Sequence, residues 1–147
     1  MNISGPWSAD EATDFLASTS IPIRLATTTP SGGLWMVSLW YQYADGQFEC
    51  ATSASADLVA FLEGDDRVAF EVSTNRPPYK GVRGAGTATV EPDPEREVLR
   101  SLLERYLGGT ESDLAATLLD KRREEVRIAI APERVSSWDY TERMKEA

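Results

Sequence analysis

The chain has 147 residues, of which 41% are hydrophobic, and this length and composition suit a single globular domain over residues 1–147. Fifteen lysines and arginines against 24 acidic residues give a net charge of −9, and no basic patch interrupts the acidity, so we expect neither nucleic acid nor a membrane as a partner. No apolar run approaches the roughly 18 residues of a membrane span, and the first residues lack signal-peptide features, so we expect a cytoplasmic protein.

Two residue types restrict the possible chemistry. The sequence contains no histidine, which excludes His-based acid–base catalysis, Ser-His-Asp and Cys-His nucleophile pairs, and the usual histidine metal sites. Cys50 is the only cysteine, so an intrachain disulfide is impossible, and its place beside Phe48 and Thr52 on one strand face predicts a buried, unreactive thiol. No metal is expected, and an enzyme of this composition would take its chemistry from a bound cofactor.

A short helix is predicted near the start of the chain. Ser8 and Glu11 have the spacing of a capping box, in which each side chain hydrogen-bonds the backbone N–H of the other residue. The helix should continue through about Ala17 and bury Phe15 and Leu16.

The segment from Leu34 to Tyr43 is the most distinctive of the sequence. A strand from Ile21 to Thr29 and a turn at residues 30–33 precede it, which predicts a hairpin. Its ten residues include no Pro or Gly, and they are apolar on both faces of a strand: Leu34, Met36 and Trp40 on one, and Trp35, Val37, Leu39, Tyr41 and Tyr43 on the other. Both faces should therefore be covered, one by the core and the other by a partner chain, a ligand or both.

The following segment is predicted to complete a three-stranded meander. Asp45 and Gly46 form a turn into a strand from Gln47 to Thr52. The small polar residues 53–57 then suit the start of a short helix that ends at Gly64, and Ser53 or Ser55 could cap this helix.

Two strands, Arg67 to Thr74 and Lys80 to Val90, flank an irregular segment that contains two consecutive prolines. Three glycines in the second strand, Gly81, Gly84 and Gly86, indicate a bend or the close approach of a flat group. No helix follows them, so they do not form a dinucleotide-binding fingerprint.

The clearest helix is predicted to open at Pro94 and to stop at Gly108 and Gly109. It carries one apolar stripe that should pack on the sheet: Val98, Leu99, Leu102, Leu103, Tyr106 and Leu107. A second helix, about Ser112 to Asp120, and strands at Val126 to Ile130 and Arg134 to Asp139 complete the chain. Six or seven short strands with flanking helices predict a small antiparallel barrel of the α+β class.

Six segments, taken in order, resemble the pyridoxamine 5′-phosphate oxidase-like family of FMN-binding split barrels. They are Ile23–Thr28, Val37–Tyr41, Thr52–Ser53, Leu62–Val68, Pro78–Gly84 and Pro132–Asp139. The resemblance extends from about Ile21 to Asp139. It implies a mainly antiparallel split β-barrel, a homodimer, and two cofactors in grooves between the subunits.

The resemblance also implies which residues contact the cofactor, which would be FMN or, as an alternative, a deazaflavin coenzyme. The second strand would edge the isoalloxazine ring with Val37, Ser38, Leu39 and Trp40. The ribityl-phosphate arm would lie toward Thr52, Ser53 and Ser55. The remaining cations near these segments are Arg24, Lys80 and Arg83, of which an arginine is well shaped for a phosphate.

One departure from the family pattern concerns the phosphate. Family members often carry a basic pair before the helix after the third strand, where Asp57 and Leu58 stand here. Because neither residue neutralises a phosphate, weak or absent FMN binding is expected.

Two functions therefore stay open: a flavin-dependent oxidoreductase acting on an unidentified small molecule, and a non-catalytic flavin- or ligand-binding dimer. No catalytic residue is assigned. Trp35 and Trp40 fit core or dimer packing better than flavin stacking, and Arg83 could equally be a solvated edge charge.

Overall fold

A computed structural model describes residues 1–145, which form eight strands and four helices. The strands are β1 (Ile3–Ser4), β2 (Ile23–Thr28), β3 (Leu34–Leu39), β4 (Gln42–Ala44), β5 (Gln47–Ser53), β6 (Arg67–Ser73), β7 (Lys80–Pro92) and β8 (Glu125–Asp139). The helices are α1 (Ala9–Ser18), α2 (Asp57–Gly64), α3 (Glu97–Leu107) and α4 (Asp113–Leu118). The predicted α+β class with a mainly antiparallel sheet is confirmed, and the short strands β1 and β4 raise the count above six or seven.

The strands form one sheet in the order β3-β2-β6-β7-β8-β5-β4, and β1 pairs in parallel with β8. Seven strands laid flat would place β3 and β4 about 29 Å apart, at about 4.8 Å per strand. Only Trp40 and Tyr41 connect these two end strands, and three Cα steps span at most about 11 Å. The sheet must therefore curl until its two ends meet, which is the geometry of a barrel.

Apolar side chains fill the interior of this barrel. The rings of Phe48 on β5 and Phe70 on β6 lie 4.8 Å apart, although two strands separate β5 from β6 in the sheet. This contact crosses the interior, and other fully buried residues surround it: Ile23, Leu25, Cys50, Val72, Val82, Ile128 and Ile130. Burial raises the pKa of the Cys50 thiol to about 12, as expected for an unreactive cysteine.

The predicted strand from Leu34 to Tyr43 is divided in two. β3 ends at Leu39, and β4 begins at Gln42 and pairs with β5 through a turn in which Asp45 and Gly46 both have positive φ. β3 pairs instead with β2, as the predicted hairpin requires. The predicted meander is therefore wrong, because the two halves lie at opposite ends of the sheet path.

Within the chain, β3 is not covered on both faces. Leu34 is 82% exposed and Met36 is 67% exposed on one face, whereas Val37 and Leu39 on the other face pack against the core. The prediction that something outside the chain covers the first face stays open.

The helices differ from the predictions mainly at their ends. In α1 the capping box is present, since Ser8 Oγ accepts from Glu11 N and Glu11 Oε1 accepts from Ser8 N, both at 3.1 Å. Leu16 is fully buried and Phe15 partly so. The Ser112 side chain caps α4 by accepting from Ala115 N.

The predicted start of α3 at Pro94 is wrong by three residues. The carboxylate of Asp93 accepts from the N–H groups of Glu97 and Val98, and Arg96 takes a left-handed conformation with φ of 55°, so the helix begins at Glu97. Most of the predicted stripe is buried, but Leu107 is 40% exposed.

The glycines of β7 allow close contact between backbones. A Cβ on Gly84 would meet the carbonyl oxygen of Arg134, and one on Gly86 would meet that of Ala131 on β8. The pairing register also shifts between Ala85 and Gly86, so the predicted bend is present, and the close neighbour is the adjacent strand.

The last strand is longer than predicted. Val126–Ile130 and Arg134–Asp139 belong to the continuous strand β8, whose first part pairs with both β5 and β7. In residues 1–145, no helix combines the length and the apolar character that a membrane crossing needs.

Candidate cofactor and partner surface

Alternating side chains of five strands point away from the barrel interior and form a surface that we call the outer face. Its rows follow from the strand register, because successive residues of a strand point to opposite faces. One row contains Ser38, Arg24, Glu71, Arg83 and Ser136, on β3, β2, β6, β7 and β8. The next row contains Met36, Ala26, Ala69, Ala85 and Arg134.

The three alanines make this second row shallow, and a cavity of about 320 Å³ lies over it. Its lining is mostly apolar and joins members of both rows: Arg24, Ala26, Met36, Ala69, Phe70, Glu71, Arg83 and Gly84. A flat apolar group with an anionic substituent fits such a lining, because the floor is formed by small side chains and the cations stand at the side.

The two arginines that line this cavity, Arg24 and Arg83, have no carboxylate partner within residues 1–145. Arg24 Nη1 donates to the carbonyl of Pro22 at 3.4 Å. The guanidinium of Arg83 lies over the ring of Trp138, 4.6 Å from its centroid. Glu71 lies between them in the row and accepts from Ser73 Oγ at 2.9 Å. Both guanidinium groups therefore keep N–H donors for an anion.

β3 also has a free backbone edge. In the described part of the chain it pairs with β2 alone, so its other edge presents unpaired N–H and C=O groups. Such an edge can hydrogen-bond a ligand or a second polypeptide.

The four residues predicted to edge the isoalloxazine ring do not all face the same way. Ser38 is exposed on the outer face, whereas Val37 and Leu39 point toward the core. Trp40 lies beyond the end of β3 and stacks on Tyr106 of α3, with ring centroids 5.1 Å apart and planes 9° apart. Trp35 also packs within the chain, since its ring meets the ring of Phe61 of α2 edge-on, with the centroids 5.7 Å apart.

The predicted phosphate-arm residues lie at the end of β5. Four strands separate β5 from β3 along the sheet path. The Oγ atoms of Ser53 and Ser55 are 2.9 Å apart, and Ser53 Oγ also accepts from Ser55 N. Neither serine caps α2, because its N-cap residue is Ala56. Thr52 is half-buried on the same strand and pairs with Val126.

Lys80, Asp57 and Leu58 are separate from the outer-face cations. Lys80 is three residues from Arg83, so it points to the opposite face of β7, and it pairs with Asp139. Leu58 is 3% exposed and belongs to the main core, so the prediction that it stands at a cofactor phosphate is wrong. Only Asp57 of that pair is exposed.

Ala26, Ala69 and Glu71 also line the cavity, although they were not predicted as part of a site. The alternation of β2 and β6 does place them on the polar face, beside Arg24. The register that aligns the strands could not be read from the sequence. No group of acidic and cysteine side chains suited to a metal occurs within residues 1–145, and the chain has no histidine.

Neither a protein-family model nor a curated protein matches this sequence, whereas many solved structures do. One is the conserved hypothetical protein Rv2991 from Mycobacterium tuberculosis, which is 29% identical with a TM-score of 0.77, over 92% of this chain and 86% of that one. Another is an F420 reductase, 21% identical with a TM-score of 0.68, over 84% of this chain and 94% of that one.

A third is a Listeria innocua protein assigned as a pyridoxamine 5′-phosphate oxidase, 13% identical with a TM-score of 0.63, over 87% of this chain and 95% of that one. Structures of the same fold also include a FAD-binding protein from Mesorhizobium loti and the heme storage protein HutZ from Vibrio cholerae, both under 25% identical. The chain has the split-barrel fold of the pyridoxamine 5′-phosphate oxidase-like proteins.

Proposed function

We propose that the protein is a homodimeric oxidoreductase that holds a flavin or a deazaflavin at the outer face, between two copies of the chain. The observation that carries this proposal is made within residues 1–145: a β3 edge without a strand partner lies beside an alanine-floored cavity, and the two arginines that flank the cavity have no carboxylate partner. Solved structures of the same fold include an F420 reductase and a FAD-binding protein, which supports a cofactor of this class.

The exposed side chains of β3 support a subunit interface. Leu34 and Met36 are largely exposed, and they project from a strand whose other face packs on the core. Exposed apolar side chains beside an unpaired strand edge are typical of a surface that is covered in the assembled protein. A second copy would supply the other wall of the groove.

The charges support an anionic cofactor. Arg24 and Arg83 stand at the side of the cavity, so either could contact a phosphate or another anionic group of the cofactor. FMN and a deazaflavin coenzyme both carry such groups.

A bound flavin or deazaflavin would supply hydride transfer to and from an unidentified small-molecule substrate. The chain would contribute the rest. The β3 edge would hydrogen-bond the polar rim of the ring, the alanine floor would admit a flat ring, and the partner subunit would exclude water.

A non-catalytic flavin- or ligand-binding dimer is the second candidate. The exposed carboxylate of Asp57 favours it, because family members often carry a basic residue at this point of the sequence. Heme is less well supported, since a chain without histidine lacks the commonest axial ligand of heme iron.

The first experiment is a titration of the purified protein with FMN, riboflavin and the deazaflavin F420, followed by visible absorption and tryptophan fluorescence. The proposal expects saturable binding of at least one of them. In the variant Ser38→Trp an indole fills the groove, so the affinity should fall at least ten-fold. The control Ser101→Trp places the same side chain on an exposed position of α3 and should leave the affinity unchanged.

Turnover then separates the two candidate functions. An enzyme should catalyse reoxidation of its reduced cofactor by an added acceptor faster than the free cofactor reacts, whereas a binding protein should not accelerate it. If none of the three cofactors binds, the oxidoreductase and the flavin-binding form of the second candidate are both contradicted. If one binds equally well in Ser38→Trp and the dimer is intact, the site lies elsewhere.

A further inference from the structure

A second cavity, of about 520 Å³, adjoins the cavity of the outer face. The two cavities share Gly84, and the alanine floor continues from one into the other, because Ala85 pairs with Ala69 on one side and with Arg134 on the other. The volume is in the range of small-molecule sites. Besides Gly84 and Ala85, the lining includes Asn2, Ser4, Arg134 and Ser136.

Strand β1 forms one wall of this second cavity, and its contacts with β8 hold it in place. The two strands pair in parallel, which sets Ser4 beside Ser136. The hydroxyl of the buried Ser137 donates to the carbonyl of Ser4 at 3.3 Å and accepts from Trp7 N at 3.1 Å. A Cβ at Gly5 would meet the carbonyl oxygen of Ser137, so this close approach requires glycine. The wall is therefore formed before any ligand binds.

The polar side chains of the lining can all donate hydrogen bonds. They are the guanidinium of Arg134, the hydroxyls of Ser4 and Ser136, and the amide of Asn2. The chain has 24 acidic residues, but none of the residues that line this cavity is Asp or Glu. Arg134 is exposed and has no carboxylate partner within residues 1–145, so its N–H groups are accessible to a ligand. These groups favour an anion.

The charge of the lining indicates which anion fits. Among the described residues that line the cavity, Arg134 is the only cation, so it balances a single negative charge. A carboxylate carries one charge and matches the planar fork of a guanidinium with two parallel N–H···O bonds. A phosphate monoester carries about two negative charges at pH 7, and its second charge would stay unbalanced in a chain with a net charge of −9.

We propose that the second cavity binds the carboxylate of the substrate through Arg134 and the hydroxyls of Ser4 and Ser136. The rest of the substrate lies over Ala85 toward the cofactor, and the shallow floor at Gly84 and Ala85 admits a flat molecule. The substrate class is therefore a small, flat carboxylate. This inference rests on the proposed function for the place of the cofactor, whereas the carboxylate site depends only on the residues of the second cavity.

Benzoate is a suitable probe, because it is a small, flat carboxylate. At constant ionic strength and without added cofactor, it should bind the complete protein saturably in calorimetry and raise the midpoint of thermal unfolding. Benzamide has the same shape and no charge, so it should bind at least about ten-fold more weakly, the loss expected for a charge-assisted hydrogen bond. When the protein holds FMN, benzoate should also change the visible absorption of the flavin, because the two ligands lie side by side.

Two arginine variants assign the contact. Arg134→Met removes the guanidinium and should weaken benzoate binding at least about ten-fold. Arg100→Met is the matched control, since Arg100 is an exposed arginine on α3, outside the outer face, and this variant should bind benzoate like the unmodified chain. Both arginines are exposed, so both variants should fold.

A comparison of FMN with riboflavin in Arg134→Met separates a carboxylate of the substrate from the phosphate of the cofactor. If Arg134 instead held the cofactor phosphate, this variant would bind FMN more weakly and riboflavin unchanged, and the proposal would be overturned.

Four further results would overturn the proposal. Benzoate does not bind at millimolar concentration, benzamide binds as tightly as benzoate, Arg134→Met binds benzoate as tightly as the unmodified chain, or benzoate binds without changing the absorption of bound FMN. Failure of the proposed function gives a different result, because no flavin then binds while benzoate still binds through Arg134.

Discussion

Gly84 has no Cβ, and this allows β7 and β8 to approach each other closely. A Cβ at this position would meet the Arg134 carbonyl oxygen and would lie 2.8 Å from Cζ of Phe70 in the core. Gly84→Ala should therefore lower the free energy of unfolding by about 2 kcal/mol or more, since neither the backbone nor the packed ring can move freely.

Urea denaturation checks this expectation, and Gly64→Ala is its control. Gly64 is the last residue of α2, and a Cβ there meets nothing within 4 Å, so alanine should stabilise the protein by about 0.5–1 kcal/mol. Equal stability of the two variants would contradict the steric account.

The buried carboxyl group of Glu125 should make the stability of the fold depend on pH. Burial raises its pKa, an effect that Arg123 and Arg96 reduce and that Asp93 reinforces. A carboxyl group whose pKa is higher in the folded than in the unfolded state stabilises the fold when protonated, and this contribution is lost as the pH rises through the folded pKa.

Glu125→Gln should remove that dependence. The stability difference between the unmodified chain and the variant should shift in favour of the variant as the pH rises from about 4.5 toward neutrality. Urea titrations at several pH values measure it. A difference that does not change with pH would mean that Glu125 has the same pKa in both states.

At the level of residues, the sequence showed which residue types could bind a cofactor, but it did not show where in the fold their side chains lie. Arg24 and Arg83 line the same cavity, because both occupy outward positions of strands whose alternation is clear, and their contact with a cofactor stays a prediction. Leu58 was misplaced because matching a position to a family pattern does not give the orientation of its side chain on a helix, and this side chain belongs to the core. Ala26 and Ala69 carry no signal until the register aligns them.

At the level of elements, Tyr106 of α3 contacts the two residues that follow the end of β3. Its hydroxyl accepts from Tyr41 N and donates to the carbonyl of Ile21, both at 3.2 Å, while its ring stacks on Trp40. Tyr106→Phe keeps the stacking and leaves the Tyr41 N–H without its partner, so it should lower the stability by about 1–3 kcal/mol.

Thermal or urea unfolding of Tyr106→Phe measures this effect. Tyr140→Phe, which removes a hydroxyl from an exposed residue, serves as the control and should be close to neutral. If both variants are equally stable, the hydroxyl of Tyr106 does not hold the link between β3 and β4.

This contact also explains why the break in the predicted strand was missed. Residues 34–43 are uniformly favourable for a strand, and the interruption comes from α3, more than 60 residues away in sequence. The predicted meander was wrong for the same reason. β3 pairs with β2 and β4 pairs with β5, but the strands between these two pairs in the sheet, β6, β7 and β8, come later in the sequence. Local signals such as the capping box were predicted correctly because they act within one turn.

At the level of the whole molecule, the exposed side of β3 predicts a homodimer. Such an interface should bury on the order of 1,600 Å² or more. Met36→Lys would place a charge at its centre and should shift the protein to monomers in light scattering at micromolar concentration.

Leu114→Lys is the matched control for assembly. Leu114 is a 49% exposed leucine on α4, outside the outer face, so this variant should remain dimeric. A stable monomer of the unmodified chain would contradict the interface, and so would a Met36→Lys variant that remains dimeric.

The free edge of β3 has a consequence for handling the protein. A lone subunit offers an unpaired strand edge next to exposed Leu34 and Met36, which is the arrangement that recruits further strands into ribbon-like aggregates. The net charge of −9 opposes this by mutual repulsion, and salt screens that repulsion without weakening the apolar contact. A preparation that is diluted until the subunits separate and is then brought to high salt should therefore precipitate more than a dimeric preparation at the same salt concentration.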